Sequence, residues 1–288
     1  MSSKADRFLE QHPELLHADE TSESAIRKLA SAVAPLEWYH RFQIHGMERI
    51  PASGGFLFVI NHSVGVISEL FLLLRTWHIH FRGTRPPVRA LSHQLWWQFP
   101  ATLMQFPKIG AIFAHPDVAR RRLANGDVIL LYPGGDLEAF RPFSDRYKVT
   151  LGGRHRFVTL AREAGVPIVP LVVCGSHANY VVLPGAQTLA QKTPLGRMYR
   201  AKSLPLSLGL AGVSVTALAS LAMPLLLPLL GLASLQAMIP APSRIEAEIL
   251  APILPREDES DQECARRIRD AMQVSMDQMA GNRTTPWG

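Results

Sequence analysis

The chain has 288 residues, of which 47% are apolar and 19% are charged, and its formal net charge at pH 7 is +6. This length and apolar content provide for a large core, and they exclude a disordered chain or a fibre. Two widely separated cysteines, Cys174 and Cys264, exclude a disulfide-stapled secreted module and a cysteine-rich zinc domain. The positive charge favours an anionic partner: a phospholipid surface, nucleic acid or a phosphate-bearing cosubstrate.

The amino-terminal residues lack the apolar stretch of a cleaved signal peptide. We therefore expect a membrane-associated protein on the cytoplasmic face. Residues 1–36 are polar and carry short helical periods, such as Ile26, Leu29 and Val33. This pattern predicts an amphipathic N-terminal helical arm, which either covers the core or contacts a membrane.

Residues 37–202 alternate between strand and helix patterns. Alternation of apolar and polar residues predicts a strand over 41–46, and short apolar runs bounded by turn residues predict strands over 56–60, 88–91, 127–132 and 167–174. Helical periods predict helices around 70–77 and over 93–104, 118–124 and 154–164. This alternation is typical of an α/β fold, and we expect a mixed, mostly buried sheet flanked by helices.

Residues 244–288 are expected to complete this core with a last strand over 245–249 and a final helix. Ser260 and Glu263 have the spacing of a capping box, in which each side chain bonds the other residue's backbone N–H. The final helix is therefore predicted to begin at Ser260 and to end near Met279.

A long uncharged segment, residues 203–243, contains no Asp, Glu, Lys, Arg or His in its 41 residues. A helix that spans a bilayer needs about 20 apolar residues, so this segment predicts a long apolar membrane-associating insertion. Pro224 and Pro228 break its middle and cationic residues flank both ends, which favours a re-entrant hairpin over a single crossing. The alternative is an apolar insertion into the core of a soluble domain.

A histidine follows the predicted strand 56–60, within the sequence Asn61-His62-Ser63. Functional sites of α/β sheets collect at the ends of strands. An imidazole at such a place can act as a general base because its ordinary pKa lies near neutrality, and Glu69 is a candidate to orient it. The alternative is a structural histidine beside an apolar strand.

A glycine-rich turn follows the predicted strand 127–132. Its glycines, Gly134 and Gly135, permit positive φ and close approach of a ligand, and exposed N–H groups in such a turn can hold an oxyanion or a phosphate. Asp136, Glu138 and Arg141 come next along the chain. The alternative is an ordinary tight turn.

Three segments together resemble a known family. They are Asn61-His62, Tyr132-Pro133-Gly134-Gly135-Asp136-Leu137-Glu138-Ala139 and Gly165-Val166-Pro167-Ile168-Val169-Pro170. In this order and spacing they resemble the glycerolipid acyltransferase superfamily, of the lysophosphatidic acid acyltransferase type. The Pro-Gly-Gly-x-x-Glu-Ala pattern is closest to its diacylglycerol-acyltransferase-like branch. The resemblance covers roughly residues 40–255.

The resemblance implies an O-acyltransferase that moves a fatty acyl group from a thioester to a glycerolipid-type hydroxyl. No cofactor and no metal are expected, because acyl-CoA or acyl carrier protein is the cosubstrate and no acyl-enzyme is needed. The implied catalytic residues are His62 and Glu69. The implied substrate-binding residues are Asn61, Gly134, Gly135, Asp136, Glu138 and Arg141.

The spacing between histidine and acid departs from the family pattern. The family has His-x4-Asp, but Ile67 stands at that position and the first acid is Glu69. If the seven steps from His62 to Glu69 were all helical, the rise would be about 10 Å, so a direct contact needs a non-helical stretch near Gly65. Asp136 and Glu138 are the alternative acids.

Two arginines that the family uses for a glycerol phosphate are also missing. Pro116 and Leu137 stand where those arginines are expected. A dianionic phosphate prefers a bidentate guanidinium, so the acceptor is expected to lack a phosphate monoester. Arg141 and Arg154 remain as substitutes, which leaves a lysophosphatidate or lysophospholipid acceptor open.

Other classes of protein have weaker support. A serine hydrolase lacks its nucleophile elbow, and His78-x-His80 has no carboxylate neighbours to complete a metal site. No nucleic-acid-binding motif is present, so the expected partners are an acyl thioester, a lipid acceptor and a membrane surface. A non-catalytic lipid-binding protein on the same fold remains a different possibility.

Overall fold

A computed structural model of the protein describes residues 4–16, 21–64, 66–98, 100–182 and 240–288, together with the single residues 219 and 223. Within these residues, seven strands form one sheet. They are β1 (Gln43–His45), β2 (Phe56–Ile60), β3 (Arg89–Ser92), β4 (Ala111–Phe113), β5 (Val128–Leu131), β6 (Ile168–Cys174) and β7 (Glu246–Ile249).

The sheet has the strand order β1-β7-β6-β2-β5-β3-β4. Neighbouring strands are parallel except for β6 and β7, which are antiparallel. The predicted mixed, mostly buried sheet is therefore confirmed.

Helices cover both faces of this sheet. They are α1 (Lys4–Gln11), α2 (Glu23–Tyr39), α3 (Val66–Phe81), α4 (Pro100–Gln105), α5 (Pro116–Ala124), α6 (Gly135–Ala139), α7 (Arg156–Ala164) and α8 (Asp261–Gly281). Short 3-10 helices include Gln94–Gln98 and Ser176–Asn179.

The two faces of β2 show how the core is divided. Phe56, Phe58 and Ile60 point toward the cluster that α2 and α3 cover. Leu57 and Val59 point toward the cluster that α5, α7 and α8 cover. Every residue of β2 is buried, as expected for a central strand with helices on both faces.

Local signals in the sequence account for the ends of several helices. The predicted capping box is present at the start of α8, where Ser260 and Glu263 bond each other's backbone N–H groups. Pro116 is the first residue of α5, and the His115 side chain accepts a hydrogen bond from the Asp117 N–H. Gly165 ends α7 in the left-handed conformation that glycine favours.

Two elements were not predicted from the sequence. The short strand β4 lies at the end of the sheet, and its three residues are too few to show a period. Helix α6 begins inside the glycine-rich turn, where the sequence indicated only a loop. The predicted helix 93–104 divides into the 3-10 helix Gln94–Gln98 and α4.

The predicted apolar insertion 203–243 lies outside the described residues, except for 219, 223 and 240–243. In the part of the chain that the structure describes, no helix combines the length and the apolar composition needed to cross a bilayer.

The carboxyl ends of five parallel strands meet at one side of the sheet, which we call the carboxyl edge. It is formed by the ends of β2, β3, β4, β5 and β6. Strand β7 runs the opposite way and pairs Glu246 with Cys174, the last residue of β6. The first residues of β7 and of its parallel neighbour β1 therefore lie at this edge too.

Candidate active site

His62 lies at the carboxyl edge, two residues beyond the end of β2. Its side chain is half-buried, and its ring packs against the ring of Tyr132 with 4.8 Å between the two centroids. Tyr132 directly follows β5, the neighbour of β2. Parallel pairing of the two strands therefore brings the two predicted motifs together.

The His62 ring is held in one neutral tautomer. Its Nδ1 lies 3.0 Å from the Ser63 carbonyl oxygen, and since a carbonyl only accepts, Nδ1 carries the proton. Nε2 then has a free lone pair, and no group of the described residues bonds it. Burial, with a smaller contribution from the nearby Arg141 charge, lowers the pKa of His62 to about 4. At neutral pH the imidazole is therefore uncharged.

Glu69, the candidate to orient His62, bonds Ser63 and not the His62 ring. The Glu69 carboxylate accepts a hydrogen bond of 2.9 Å from Ser63 Oγ, whereas the His62 ring bonds the Ser63 carbonyl. Glu69 lies in the first turn of α3, where its side chain turns inward and is fully buried. Any influence of Glu69 on His62 is therefore transmitted through Ser63.

Burial also governs the charge of Glu69. It raises the pKa of this carboxyl to about 7, while the hydroxyl groups of Ser176, Ser63 and Tyr132 act in the opposite direction. The same carboxyl contributes to raising the pKa of Tyr132. These groups form a buried polar cluster behind the histidine.

Glu138 was predicted to bind substrate, but its carboxylate is fully engaged inside the protein. One oxygen accepts from the His62 N–H at 3.0 Å, and the other accepts from the Thr150 and Leu151 N–H groups at 2.8 and 3.2 Å. The side chain is buried. Because α6 begins within the glycine-rich turn, it places this carboxylate beneath the backbone of His62.

Arg141 was also predicted to bind substrate, and it too is occupied. Its guanidinium donates to four backbone carbonyls, those of His62 (2.5 Å), Glu138 (2.7 Å), Asp145 (2.9 Å) and Arg146 (2.9 Å). The side chain is buried. Glu138 and Arg141 thus bond the N–H and the C=O of His62 respectively.

Asn61 was predicted as a third substrate-binding side chain, and the structure gives it a different place. Its amide donates to the Val173 carbonyl at 2.9 Å and accepts from the Val173 N–H at 2.8 Å. This pair of bonds extends the pairing of β2 with β6 beyond Ile60. Asn61 therefore fixes the strand end from which His62 extends.

The two predicted glycines differ in what they permit. A Cβ on Gly134 would lie 1.9 Å from a Glu138 carboxylate oxygen, so the missing side chain makes room for Glu138 rather than for a ligand. Gly135 has a φ of 52°, and its N–H donates to the Tyr132 carbonyl at 3.2 Å. The Gly134 N–H has no hydrogen-bond acceptor among the described residues, although the residue is buried.

Asp136 and Arg154 lie at the surface beside the turn. Arg154 donates to the Pro133 carbonyl at 3.0 Å, and its guanidinium lies over Gly135. It is 3.9 Å from the Asp136 carboxylate, and its side chain is 46% exposed. Arg154 is therefore a cation near His62 that part of a substrate can reach.

The sequence motifs did not reveal two members of the site. Ser63 and Ser176 contact Glu69, but a serine beside a histidine or after a strand carries no signal of its own. Ser176 stands in Cys174-Gly175-Ser176-His177, which lacks the flanking pattern of a nucleophile elbow. Among the described residues, no three His, Cys, Asp or Glu side chains are grouped to hold a metal ion.

This arrangement is a mixed α/β sheet with a neutral histidine at its carboxyl edge, next to a glycine-rich turn. Residues 41–174 match the family model described as Acyltransferase. This match agrees with the resemblance that the motifs indicate: residues 41–174 are similar to an acyltransferase domain.

Curated relatives are similar over about half of this chain. An uncharacterized protein of Mycobacterium tuberculosis (strain ATCC 25618 / H37Rv) is 30% identical over 154 residues, which are 54% of this chain and 42% of that protein. A bovine protein named DGAT1/2-independent enzyme synthesizing storage lipids is 25% identical over 149 residues, which are 52% of this chain and 43% of that protein. The chain thus spans less than half the length of these relatives.

A solved structure has the same fold. The 1-acyl-sn-glycerophosphate (LPA) acyltransferase PlsC from Thermotoga maritima superposes with a TM-score of 0.56 at 14% sequence identity. The superposition covers 90% of this chain and 81% of that structure. At this identity the similarity is evidence for the fold alone.

Proposed function

We propose that this protein is a membrane-associated O-acyltransferase that moves a fatty acyl group from a thioester to the hydroxyl of a glycerolipid. The observation that carries the proposal is the state of His62. Its Nδ1 is committed to the Ser63 carbonyl, and its low pKa leaves Nε2 unprotonated at neutral pH. A neutral imidazole with a free lone pair is what a general base requires.

In the proposed reaction, His62 Nε2 takes the proton of the acceptor hydroxyl as its oxygen attacks the thioester carbonyl carbon. The Gly134 N–H donates to the oxyanion of the tetrahedral intermediate. The C–S bond then breaks, and the leaving thiolate takes the proton from the His62 imidazolium. The products are an ester and a free thiol, and His62 is again neutral.

The acceptor that we propose has no phosphate monoester. Pro116 and Leu137 replace the two family arginines, and Arg141 has its donors engaged by backbone carbonyls. A dianionic phosphate would therefore lack a bidentate partner at these positions. The printed name of the bovine relative, an enzyme synthesizing storage lipids, supports a neutral lipid acceptor such as diacylglycerol.

The donor in this proposal is the cosubstrate acyl-CoA or acyl carrier protein, and no cofactor takes part. We propose that the protein works at the cytoplasmic face of a membrane. The net charge of +6 and the uncharged run of residues 203–243 support a membrane surface as partner.

One observation favours a second candidate function. Arg154 is half-exposed beside the turn, so its guanidinium can bind a phosphate. This favours acyl transfer to lysophosphatidate or a lysophospholipid as the second candidate. A non-catalytic lipid-binding protein on the same fold is the other alternative.

The test is an acyl-transfer assay on the full chain purified in detergent. Labelled palmitoyl-CoA or palmitoyl carrier protein is mixed with diacylglycerol, monoacylglycerol or lysophosphatidate, and the products are identified by mass spectrometry. We expect ester formation on the neutral acceptors. A preference for lysophosphatidate that is lost in Arg154→Ala would establish the second candidate, and lipid retention without any ester would establish the carrier.

A further inference from the structure

The exposed tryptophans of this protein all lie at the carboxyl edge. Trp38 is 83% exposed and precedes β1, Trp96 is 47% exposed and follows β3, and Trp287 is 39% exposed. The Trp287 ring donates to the carbonyl of Ala178, which follows β6. The other two tryptophans, Trp77 and Trp97, are buried in the core.

These three side chains are spread along the width of the sheet. Trp38 lies near β1, Trp287 near β6 and Trp96 near β3, and those strands span nearly the whole strand order. Leu137, which is 45% exposed, lies between them in the helix that follows β5. The edge that carries His62 therefore presents a row of large apolar side chains.

Tryptophan has a specific preference that this placement fits. Its ring has a large apolar area and one polar N–H, so it is favoured where one end is apolar and the other is wet, as at the headgroup level of a bilayer. Exposure of three such rings to bulk water on one side of a protein is unfavourable by the same argument.

The charge of the same edge fits an anionic surface. Five basic residues lie here against three acids: Arg41, Arg146, Lys148, Arg154 and Arg244 against Asp136, Asp145 and Glu246. The Arg146 guanidinium lies 4.6 Å from the Phe143 and Tyr147 rings. Cations among aromatic rings are typical of surfaces that meet lipid headgroups.

The chain that connects residues 182 and 240 starts and returns at this edge. The Val182 carbonyl accepts from the Phe143 N–H at 2.9 Å, and the Pro240 carbonyl accepts from the Tyr39 hydroxyl at 2.7 Å. The uncharged run of residues 203–243 belongs to this connection. The described end of this uncharged run, at Pro240, therefore lies beside the tryptophans.

From these observations we infer that the carboxyl edge is the surface that docks on a lipid bilayer, with Trp38, Trp96 and Trp287 as its interfacial anchors. The inference rests on the proposed function and adds the orientation of the site. A bilayer at this edge lies next to His62, so a lipid hydroxyl reaches the base while its acyl chains remain in the membrane. A second copy of the chain is the competing occupant.

The test uses the full chain and vesicles of phosphatidylcholine with about one third phosphatidylglycerol, an anionic leaflet. Binding is measured by co-sedimentation for the wild type, for each of Trp38→Ala, Trp96→Ala and Trp287→Ala, and for the triple variant. Ile79→Ala and Leu254→Ala are matched controls, because both residues are well exposed but lie toward the opposite edge. Brominated lipids in the same vesicles report which tryptophans enter the bilayer.

We expect bromolipids to quench the wild-type tryptophan fluorescence and the triple variant to bind about tenfold more weakly or worse, with unchanged binding of the two controls. The inference is overturned if wild-type protein does not bind, if the controls lose as much affinity, or if bound protein is not quenched. It is also overturned if ultracentrifugation shows a dimer that the tryptophan variants dissociate.

The proposed function is tested separately by acyl transfer in detergent micelles, where docking is not required. Triple-variant protein that transfers acyl groups in detergent but fails on vesicles supports both proposals. Wild-type protein that binds vesicles through this edge but forms no ester contradicts the proposed function and leaves the docking surface standing. If the triple variant does not fold, vesicle binding by the single variants and bromolipid quenching of the wild type test the docking surface.

Discussion

At the residue scale, His62 is fixed through its own peptide groups rather than by an acid on its ring. Glu138 accepts from its N–H, Arg141 donates to its C=O, and the Ser63 carbonyl accepts from its Nδ1. Charge-assisted bonds of this kind are about twice as strong as neutral ones. The base is therefore held by the residues that follow the glycine-rich turn.

The first prediction concerns this support. Glu138→Gln puts an NH2 group against an N–H donor, so the His62 backbone should shift. A misplacement of about 1 Å can reduce a rate about 100-fold, so kcat should fall by that order with little change in KM. Steady-state kinetics, recorded well below the unfolding temperature of the variant, measure kcat and KM.

A matched control separates support from stability. Asp127 is buried between Arg89 and Arg122, beside the amino ends of the strands and far from His62. Asp127→Asn should lower the unfolding temperature comparably but leave kcat close to wild type. Equal losses of kcat in the two variants would contradict a positioning role for Glu138.

The second prediction concerns pH. The pKa of His62 is lowered from its ordinary value of 6.5 to about 4, so the base stays unprotonated as pH falls through 6.5 and gains its proton only near pH 4. The rate constant kcat/KM should therefore show no acid limb at 6.5. A limb near pH 7 that disappears in Glu69→Gln would belong to Glu69, whose pKa is raised to about 7. A limb at 6.5 that persists in that variant contradicts the assignment.

At the element scale, the glycine-rich turn serves the fold as much as the chemistry. Gly134 admits the Glu138 carboxylate, and α6 then carries Glu138 and Arg141 to the strand end of β2. The turn after β5 therefore shapes the loop after β2. This contact gives a physical reason for the two motifs to occur in one chain.

The third prediction tests that contact. The backbone of Gly134 has an ordinary helical φ of −61°, so Gly134→Ala acts only through the Cβ that would overlap Glu138. Overpacking of this kind should cost about 1–3 kcal/mol of unfolding free energy and should reduce activity. Gly281→Ala is the control, since a Cβ there meets nothing within 4 Å. Denaturant unfolding measures the free energy of unfolding of both variants. Equal values for Gly134→Ala and Gly281→Ala would contradict the contact between Gly134 and Glu138.

The elements that could be predicted from the sequence are those marked by a pattern of neighbouring residues. Strand β2 was predictable because five consecutive apolar residues between turns permit few alternatives, and the start of α8 because a capping box is local. Strand β4 was not, since three residues show no period. His62 was found through its motif. Asn61, Glu138 and Arg141 bond backbone atoms, which residue type cannot show, and their binding of substrate stays a prediction.

At the scale of the whole molecule, charge and apolar surface act together. In the docking that we propose, the net charge of +6 attracts anionic lipid, and the tryptophans at the carboxyl edge supply contact that salt does not screen. Docking in this orientation would bring lipid to His62 without moving it into bulk water.

The fourth prediction separates the two contributions. Raising the salt from about 0.05 M to 0.5 M shortens the Debye length several-fold, so binding to anionic vesicles should weaken but not vanish. The salt-resistant part should shrink in the variant that lacks Trp38, Trp96 and Trp287. Binding that salt abolishes completely would contradict an apolar contribution.

The central claim is that His62 is the base of an acyl transfer, and the most direct measurement is the rate of ester formation by His62→Ala in detergent. We expect a loss of about 100- to 10,000-fold, with an unfolding temperature close to wild type. His80→Ala, at the exposed far end of α3, should retain wild-type activity. A His62→Ala protein that is folded and transfers acyl groups at the wild-type rate would contradict the account.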